Sequence, residues 1–131
     1  MNRKNKSRAL DTIGGMSREL VITEHPIDAE RHVLAVRGEI DQFTGPALKQ
    51  AITACVADGW SRIVVDLTQT TFLDSSALGV LIGAVRHVRD SGGALAIVNV
   101  DAGSAKTFQL TGLDQILTIV ATREEAVQAV G

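Results

Sequence analysis

Residues 62–98 read RIVVDLTQTTFLDSSALGVLIGAVRHVRDSGGALAIV, and this segment contains a strand–helix–strand pattern. Residues 62–67 form a nearly continuous apolar run rich in β-branched side chains, which is typical of a strand covered on both faces of its sheet. A helix is predicted over residues 75–89, and a Ser-Gly-Gly sequence ends it before the next predicted strand at 94–98. This pattern predicts two parallel strands joined by a right-handed helical crossover.

The same alternation of strands and helices continues on both sides of this unit. Further strands are predicted at residues 20–22, 32–37 and 117–120, and further helices at 44–58, 102–110 and 123–130. Thr44 is expected to cap the first of these helices, Gly38 to end the strand before it, and residues 68–73 to form a loop. The fold class predicted is α/β, a single domain with a mixed, mostly parallel sheet of 4–5 strands and about four α-helices packed on it.

Composition excludes several classes of function. The chain has 131 residues, enough for one domain, and only 3% aromatic residues, too few for a stacking platform for single-stranded nucleic acid. No apolar run reaches the length of about 18 residues needed to cross a membrane, and no signal peptide is visible, so a cytoplasmic location is expected.

Ligands and catalysis are also predicted to be absent. The single cysteine, Cys55, excludes an internal disulfide and a zinc site built on cysteines, and it is expected to be a buried helix residue. His25, His32 and His87 lack the spacing of metal ligands and are expected at the surface or at sheet edges. No phosphate loop, dinucleotide fingerprint or nucleophile elbow occurs, so neither a metal, a cofactor nor catalysis is predicted.

The N-terminal segment differs from the rest of the chain in charge. Four basic residues lie within the first eight positions: Arg3, Lys4, Lys6 and Arg8. Residues 1–16 are therefore predicted to be a disordered basic tail, and residues 17–131 to form the folded domain.

The Asp74-Ser75-Ser76 sequence at the start of the predicted helix allows two interpretations. Asp and Ser are common helix caps, and capping alone accounts for them. However, residues 77–85 contain no polar side chain, whereas a surface helix normally keeps one polar face. The predicted core stripe of this helix is Leu78, Leu81, Val85 and Val88. The opposite face is small and smooth, and it carries Ser76, Gly79, Val80, Gly83 and His87.

Two glycines on this face need a separate explanation. Gly79 and Gly83 each cost about 1 kcal/mol relative to alanine inside a helix. Such positions indicate close approach by another element, either a neighbouring helix of the same domain or a docking partner protein. A phosphate on Ser75 would be tolerated at the helix N-terminus, yet burying that dianion in a docked interface would be costly.

Three segments resemble the signatures of a known family, the anti-sigma factor antagonists with a STAS domain. Residues 74–81, DSSALGVL, resemble the main signature, except that Ala77 stands where glycine is common. Residues 38–48, GEIDQFTGPAL, resemble a second signature in which Gly-Glu-Leu/Ile-Asp is followed by Thr and Leu. Residues 110–113, LTGL, resemble a third and weaker one, and the resemblance spans about residues 18–130.

This resemblance implies a STAS-like fold and a partner-switching role in bacterial transcription and stress response. The unmodified antagonist of this family binds an anti-sigma factor that is also an ATP-dependent serine kinase, and this binding releases a sigma factor. The kinase phosphorylates the first hydroxyl residue after the signature Asp, which corresponds to Ser75, and a PP2C-type phosphatase reverses the reaction. The antagonist is not an enzyme, uses no cofactor, and contacts neither nucleic acid nor membrane; a free monomer is expected.

The resemblance and the smooth face of the helix together predict the partner-binding residues. They are Asp41, Thr44, Asp74, Ser76, Gly79, Val80 and Gly83. Two other functions remain open at this point. One is a STAS scaffold or an accessory subunit of a sensory or lipid-transport complex, without a phosphorylation cycle. The other is a phosphoaspartyl receiver-like domain, which is disfavoured because Asp66 lies inside a strand and no Asp pair precedes it.

Overall fold

The computed structural model describes the backbone of residues 9–10 and all atoms of residues 20–131. The strands are β1 (Ala9–Leu10), β2 (Leu20–Pro26), β3 (Arg31–Ile40), β4 (Arg62–Leu73), β5 (Ala94–Val98) and β6 (Thr118–Val120). The helices are α1 (Gly45–Ala57), α2 (Ser75–Asp90), α3 (Ala102–Leu110) and α4 (Arg123–Ala129), and a 3₁₀ turn lies at Leu113–Gln115. Within these described residues, no helix is both long enough and apolar enough to cross a bilayer.

The strands form one sheet in the order β1-β2-β3-β4-β5-β6. β1 pairs with β2, and β2 with β3, in antiparallel orientation, whereas β3, β4, β5 and β6 pair in parallel. The predicted α/β class with a mixed, mostly parallel sheet and four packed helices is therefore confirmed. The sheet has six strands and not the predicted 4–5, because the short β1 pairs with the edge of β2. Because parallel strands end at the same edge of a sheet, the turns after β3 and β4 lie side by side.

The central strands are longer than the sequence predicts. β4 continues through residues 68–73, which were expected to form a loop, and it stays paired with β3 up to the pair Ile40–Leu73. Gly38 does not end β3; it adopts a φ of 119° at a shift in register between the two strands. The prediction failed because residues 68–71 carry no apolar alternation, and their strand conformation depends on pairing with β3.

The antiparallel part of the sheet is also larger than predicted. β2 reaches Pro26, beyond the predicted end of this strand at residue 22, so Glu24 lies in the strand. Ala9–Leu10 pairs with residues 22–23 of β2, which differs from the disordered tail predicted for residues 1–16. The remaining residues of that tail, including Arg3, Lys4, Lys6 and Arg8, lie outside the described residues.

The two faces of the sheet are covered by different helices. α1, α2 and α3 pack on one face, around a large core that includes Leu34, Ile63 and Ile97. α4 packs on the other face against Val64 and Ala96. Alternate residues along β4 point to opposite cores, and this placement explains why the strand is almost continuously apolar over residues 63–67.

The predicted core stripe of α2 is confirmed. Leu81, Val85 and Val88 are buried, and Leu78 is half-buried. Cys55 is buried on α1, as expected from the sequence. The opposite side of α2 is therefore left facing away from the sheet, and it forms part of the candidate functional site.

Candidate functional site

The first turn of α2 presents Ser75 to solvent. Ser75 is the first residue of the helix and is exposed. The Asp74 side chain precedes it and accepts a 3.0 Å hydrogen bond at Oδ1 from the backbone N–H of Ala77. The capping role predicted for Asp74 is thus present, and Ser75, the next residue, is exposed on the turn.

The turn between β3 and α1 is held together by Asp41 and Thr44. Asp41 Oδ1 accepts hydrogen bonds from the backbone N–H groups of Phe43, at 2.8 Å, and Thr44, at 3.0 Å. The Thr44 hydroxyl accepts a 2.9 Å bond from the Asp41 N–H and donates a 2.7 Å bond to the Glu39 carbonyl. These reciprocal bonds fix the backbone of this turn in one conformation.

The burial of these two side chains changes the role predicted for them. Asp41 is 4% exposed and Thr44 is 1% exposed, so neither side chain is available for direct contact with a docked partner. Thr44 also makes no side-chain capping bond to α1, because its hydroxyl is directed back to the turn. Asp41 and Thr44 were predicted to bind the partner. Their burial corrects this prediction, because both side chains lie below the protein surface.

A single backbone hydrogen bond joins the two turns. The Asp74 N–H donates to the carbonyl of Ile40 over 3.2 Å, directly beyond the last pair of the β3–β4 ladder. The residue before Ser75 is therefore tied to the residue before Asp41. Signature segments that lie more than thirty positions apart in sequence meet at one edge of the sheet.

A groove of about 610 Å³ lies between α1 and α2. Its lining is mostly small or apolar and consists of Lys49, Ile52 and Thr53 on α1 and Ser76, Gly79, Val80, Gly83, Ala84 and His87 on α2. All five residues of the smooth face predicted from the sequence are in this lining. Ser76 follows Ser75 directly, so the groove begins next to the exposed hydroxyl.

The two helix glycines lie open within this groove. A Cβ atom built on Gly79 or on Gly83 meets no heavy atom within 4 Å. Of the two explanations that the sequence left open for them, close approach by a neighbouring helix of the same domain is therefore wrong. The absence of side chains at these positions leaves the groove open, and an open groove of this kind suits docking by another surface.

Sequence reasoning missed three residues around this site. Phe43 and Phe72 are 64% and 49% exposed, and they lie in the β3–α1 turn and near the end of β4. Gly45 starts α1, and a Cβ there would approach Val80 Cγ2 to 3.3 Å. The exposure of the two phenylalanines could have been predicted from their position next to the polar turns. The close packing of Gly45 against Val80 could not, because it depends on how α1 and α2 meet.

Asp66 lies away from this site and does not form a receiver-like acidic pocket. Its carboxylate accepts a 2.8 Å bond from Arg123 at the start of α4 and a 3.0 Å bond from the Thr68 N–H. Burial alone would raise the pKa of Asp66, but the bonds from Thr68 and Arg123 together outweigh burial and hold the pKa below its ordinary value. The side chain is therefore a stabilising ion-pair partner between β4 and α4.

Comparison with known families places this geometry in context. The family model described as "STAS domain" matches residues 21–126. The anti-sigma-B factor antagonist of Bacillus subtilis (strain 168) is 31% identical over 93 residues, which is 71% of this chain and 84% of that protein.

Solved structures agree with the sequence relationship. The crystal structure of an anti-sigma factor antagonist from Mycobacterium paratuberculosis aligns with a TM-score of 0.76 and 32% identity, covering 85% of this chain and 93% of that one. The Bacillus cell fate determinant SpoIIAA in its phosphorylated form aligns with a TM-score of 0.64 and 25% identity, covering 84% of this chain and 99% of that one.

Proposed function

The chain belongs to the STAS domain family, and from this membership we propose that it is an anti-sigma factor antagonist whose docking surface is switched off by phosphorylation of Ser75. The observation that carries the proposal is the position of Ser75. Ser75 is exposed at the start of α2, next to a groove in which a Cβ built on Gly79 or Gly83 would meet no heavy atom within 4 Å.

The docking surface is the α1–α2 groove together with the exposed first turn of α2. Gly79 and Gly83 allow a partner to approach the helix backbone closely, and the half-buried Val80 supplies apolar contact area. Asp41 and Thr44 contribute indirectly, because they fix the turn that is bonded to Asp74. In this proposal the protein acts by binding, and its own side chains carry out no catalysis.

Phosphorylation of Ser75 opposes docking through charge and hydration. A phosphoserine adds a charge of about −1.5 to −2 at neutral pH and lies beside the Asp74 carboxylate. The partial positive charge at the N-terminus of α2 makes this group tolerable in the free protein. Docking would remove water from the phosphate and from Asp74 together, so the modified surface is expected to lose affinity while the domain stays folded.

The proposed partner is an anti-sigma factor that is also an ATP-dependent serine kinase. It binds the unmodified chain, releases a sigma factor, and later ends the interaction by phosphorylating Ser75. A PP2C-type phosphatase restores the hydroxyl, and the cycle takes place in the cytoplasm. Such a cycle needs an accessible serine on the antagonist, a condition that the exposed Ser75 meets.

The experiment combines phosphate mapping with binding. The full chain is incubated with a candidate anti-sigma kinase and ATP, and the modified residue is located by mass spectrometry. Wild type, Ser75→Ala, Ser75→Asp and the neighbouring control Ser76→Ala are then compared in a pull-down with the same kinase. We expect Ser75→Ala to remain bound and unmodified, Ser75→Asp to be released, and Ser76→Ala to be phosphorylated at Ser75. Equal retention of Ser75→Ala and Ser75→Asp contradicts the switch.

A further inference from the structure

A second cluster of chemically reactive side chains lies in the interior, in a part of the large core remote in sequence from the Ser75 turn. It consists of Glu24 on β2, His32 on β3 and Cys55 on α1, all of them buried. One carboxylate oxygen, one imidazole nitrogen and the thiol sulfur all lie within 4.8 Å of one another. The Glu24 Oε1 and His32 Nε2 atoms are 2.8 Å apart.

We propose that Glu24, His32 and Cys55 form a binding site for a divalent transition-metal ion, with Zn²⁺ as the preferred ion. Zinc accepts oxygen, nitrogen and sulfur ligands at about 2.0–2.3 Å, so tetrahedral ligands lie about 3.3–3.8 Å apart. The 2.8 Å contact between Glu24 and His32 is shorter than this spacing, and all three atoms lie within 4.8 Å of one another, so metal binding requires the side chains to adjust around the ion. A mixed set with one thiolate and one imidazole favours zinc over magnesium or calcium.

The charge balance of the cluster supports a metal ion. A divalent cation attracts a buried carboxylate, and a cysteine binds a metal as the thiolate, after its thiol loses a proton. Zn²⁺ bound by one carboxylate, one thiolate and one neutral imidazole gives a site with no net charge, which a low-dielectric core tolerates. The surrounding core is otherwise mostly aliphatic, so these three ligand-type side chains lie together in an apolar environment.

The surroundings of the cluster orient one ligand. The imidazole of His32 stacks on the indole of Trp60, with ring centroids 4.4 Å apart and an interplanar angle of 20°. This contact restricts rotation of the imidazole and keeps its ring atoms directed towards Glu24. The three ligands come from the β2–β3 hairpin and from the last turns of α1, so a bound ion would link α1 to the edge of the sheet.

Sequence spacing gives no sign of this site. Glu24, His32 and Cys55 are separated by 8 and 23 positions and belong to three different elements. The expectation that all histidines lie at the surface or at sheet edges is wrong for His32, whose side chain is 0% exposed. The spacing of the histidines predicts no metal site. That prediction takes no account of ligands that only the tertiary structure brings together.

The first test uses cobalt as a spectroscopic substitute for zinc, on the full wild-type chain after removal of metal with a chelator. Cys55 is the only cysteine in the sequence, so any thiolate-to-cobalt charge-transfer band must come from it. We expect one equivalent of Co²⁺ to produce this near-ultraviolet band, and one equivalent of Zn²⁺ to abolish it. Absence of the charge-transfer band overturns the proposal without any variant being needed.

The second test compares ligand variants with histidine controls, using a chromophoric zinc indicator as competitor. Cys55→Ala and Glu24→Gln are expected to lower zinc affinity at least about tenfold, the smallest loss usual for disturbing a zinc site. His25→Ala and His87→Ala remove the other two histidines and are expected to leave the affinity unchanged. Circular dichroism confirms that each variant is folded.

Thermal unfolding supplies a readout independent of the indicator. At a free Zn²⁺ concentration about one hundred times the dissociation constant, the midpoint of wild type should rise by about 10 °C, whereas that of Cys55→Ala should not rise. Zinc binding that persists in Cys55→Ala and disappears in His25→Ala or His87→Ala identifies an adventitious surface site and overturns the proposal. If wild type binds no zinc, the cluster is only a buried Glu–His pair beside a thiol. That result also overturns the proposal.

Discussion

The backbone N–H of Asp74 donates a 3.2 Å hydrogen bond to the carbonyl oxygen of Ile40, and this bond joins the start of α2 to the turn that contains Asp41. The side chain of Asp74 caps the same helix through the Ala77 N–H. Asp74 is thus bonded on one side to the sheet edge and on the other to the helix that carries Ser75. The position of the exposed hydroxyl depends on both turns.

Asp41 is expected to stabilise the fold and to position the α2 turn. Asp41→Ala removes the acceptor of the Phe43 and Thr44 N–H groups, and we expect it to lower the free energy of unfolding by about 1–3 kcal/mol. Asp41→Asn keeps one side-chain oxygen and should lose less. Urea denaturation measures both, with the exposed Asp90→Ala as a near-neutral control. A loss as small as that of the control contradicts this role for Asp41.

Gly83 offers a test that separates stability from docking. A methyl group added at this exposed helical position meets no heavy atom within 4 Å, so Gly83→Ala should stabilise the domain by up to about 1 kcal/mol. The same methyl group projects into the groove and should weaken binding to the anti-sigma partner. Urea denaturation and a binding titration measure the two effects on the same sample.

Gly93→Ala is the matched comparison for Gly83→Ala. A Cβ at position 93 collides with the backbone carbonyl of Ser61, so this variant should be destabilised. Opposite signs for the two alanine substitutions are expected in urea denaturation. If Gly83→Ala is stabilised and still binds the partner as wild type does, the groove around Gly83 is not the docking surface.

Phosphorylation of Ser75 is expected to leave the fold intact. The added anion lies at the N-terminus of α2, where the helix dipole favours negative charge, while the neighbouring Asp74 opposes it. The free energy of unfolding of fully phosphorylated protein should differ from that of unmodified protein by less than about 1 kcal/mol. Thermal unfolding of both forms checks this expectation, and a much larger loss of stability indicates that the switch works by unfolding the turn.

Asp66 should make part of the stability dependent on acid pH. Its pKa is lowered in the folded state because the bonds from Thr68 and Arg123 outweigh the effect of burial. A carboxyl group of this kind stabilises the fold above its unfolded pKa of about 3.9, and the contribution is lost as the pH falls through the lower folded pKa. Asp66→Asn should therefore be less stable than wild type at pH 7, and the difference should shrink below about pH 4.

Urea denaturation of wild type and Asp66→Asn at both pH values tests this assignment. Asp28 and Asp101 also have lowered pKa values, from hydrogen bonds donated by the backbone N–H groups of Arg31 and Ser104. Both remain in the variant, so their contributions cancel in the comparison. A difference between the two proteins that does not change with pH would assign the effect of Asp66 to packing and not to its charge.

Features that depend on neighbours in sequence could be predicted without the structure. The alternation of apolar strands and amphipathic helices established the α/β class, and the periodicity of α2 located Leu81, Val85 and Val88 in the core. The capping chemistry of Asp74 and the exposure of Ser75 follow from the same short segment. These are local properties, since helix periodicity and caps involve residues within about four positions of one another.

Other features were decided only by tertiary contacts. The extension of β4 to Leu73 required pairing with β3, and the burial of Asp41 and Thr44 required the turn between β3 and α1 to fold beneath the surface. The convergence of Glu24, His32 and Cys55 needed three elements to pack together. The sequence by itself thus determined the class of fold and the serine on the outer turn, because both arise from short-range periodicity and capping. The contacts that hold this serine in place, and the open floor at Gly79 and Gly83, depend on long-range packing that no local pattern encodes.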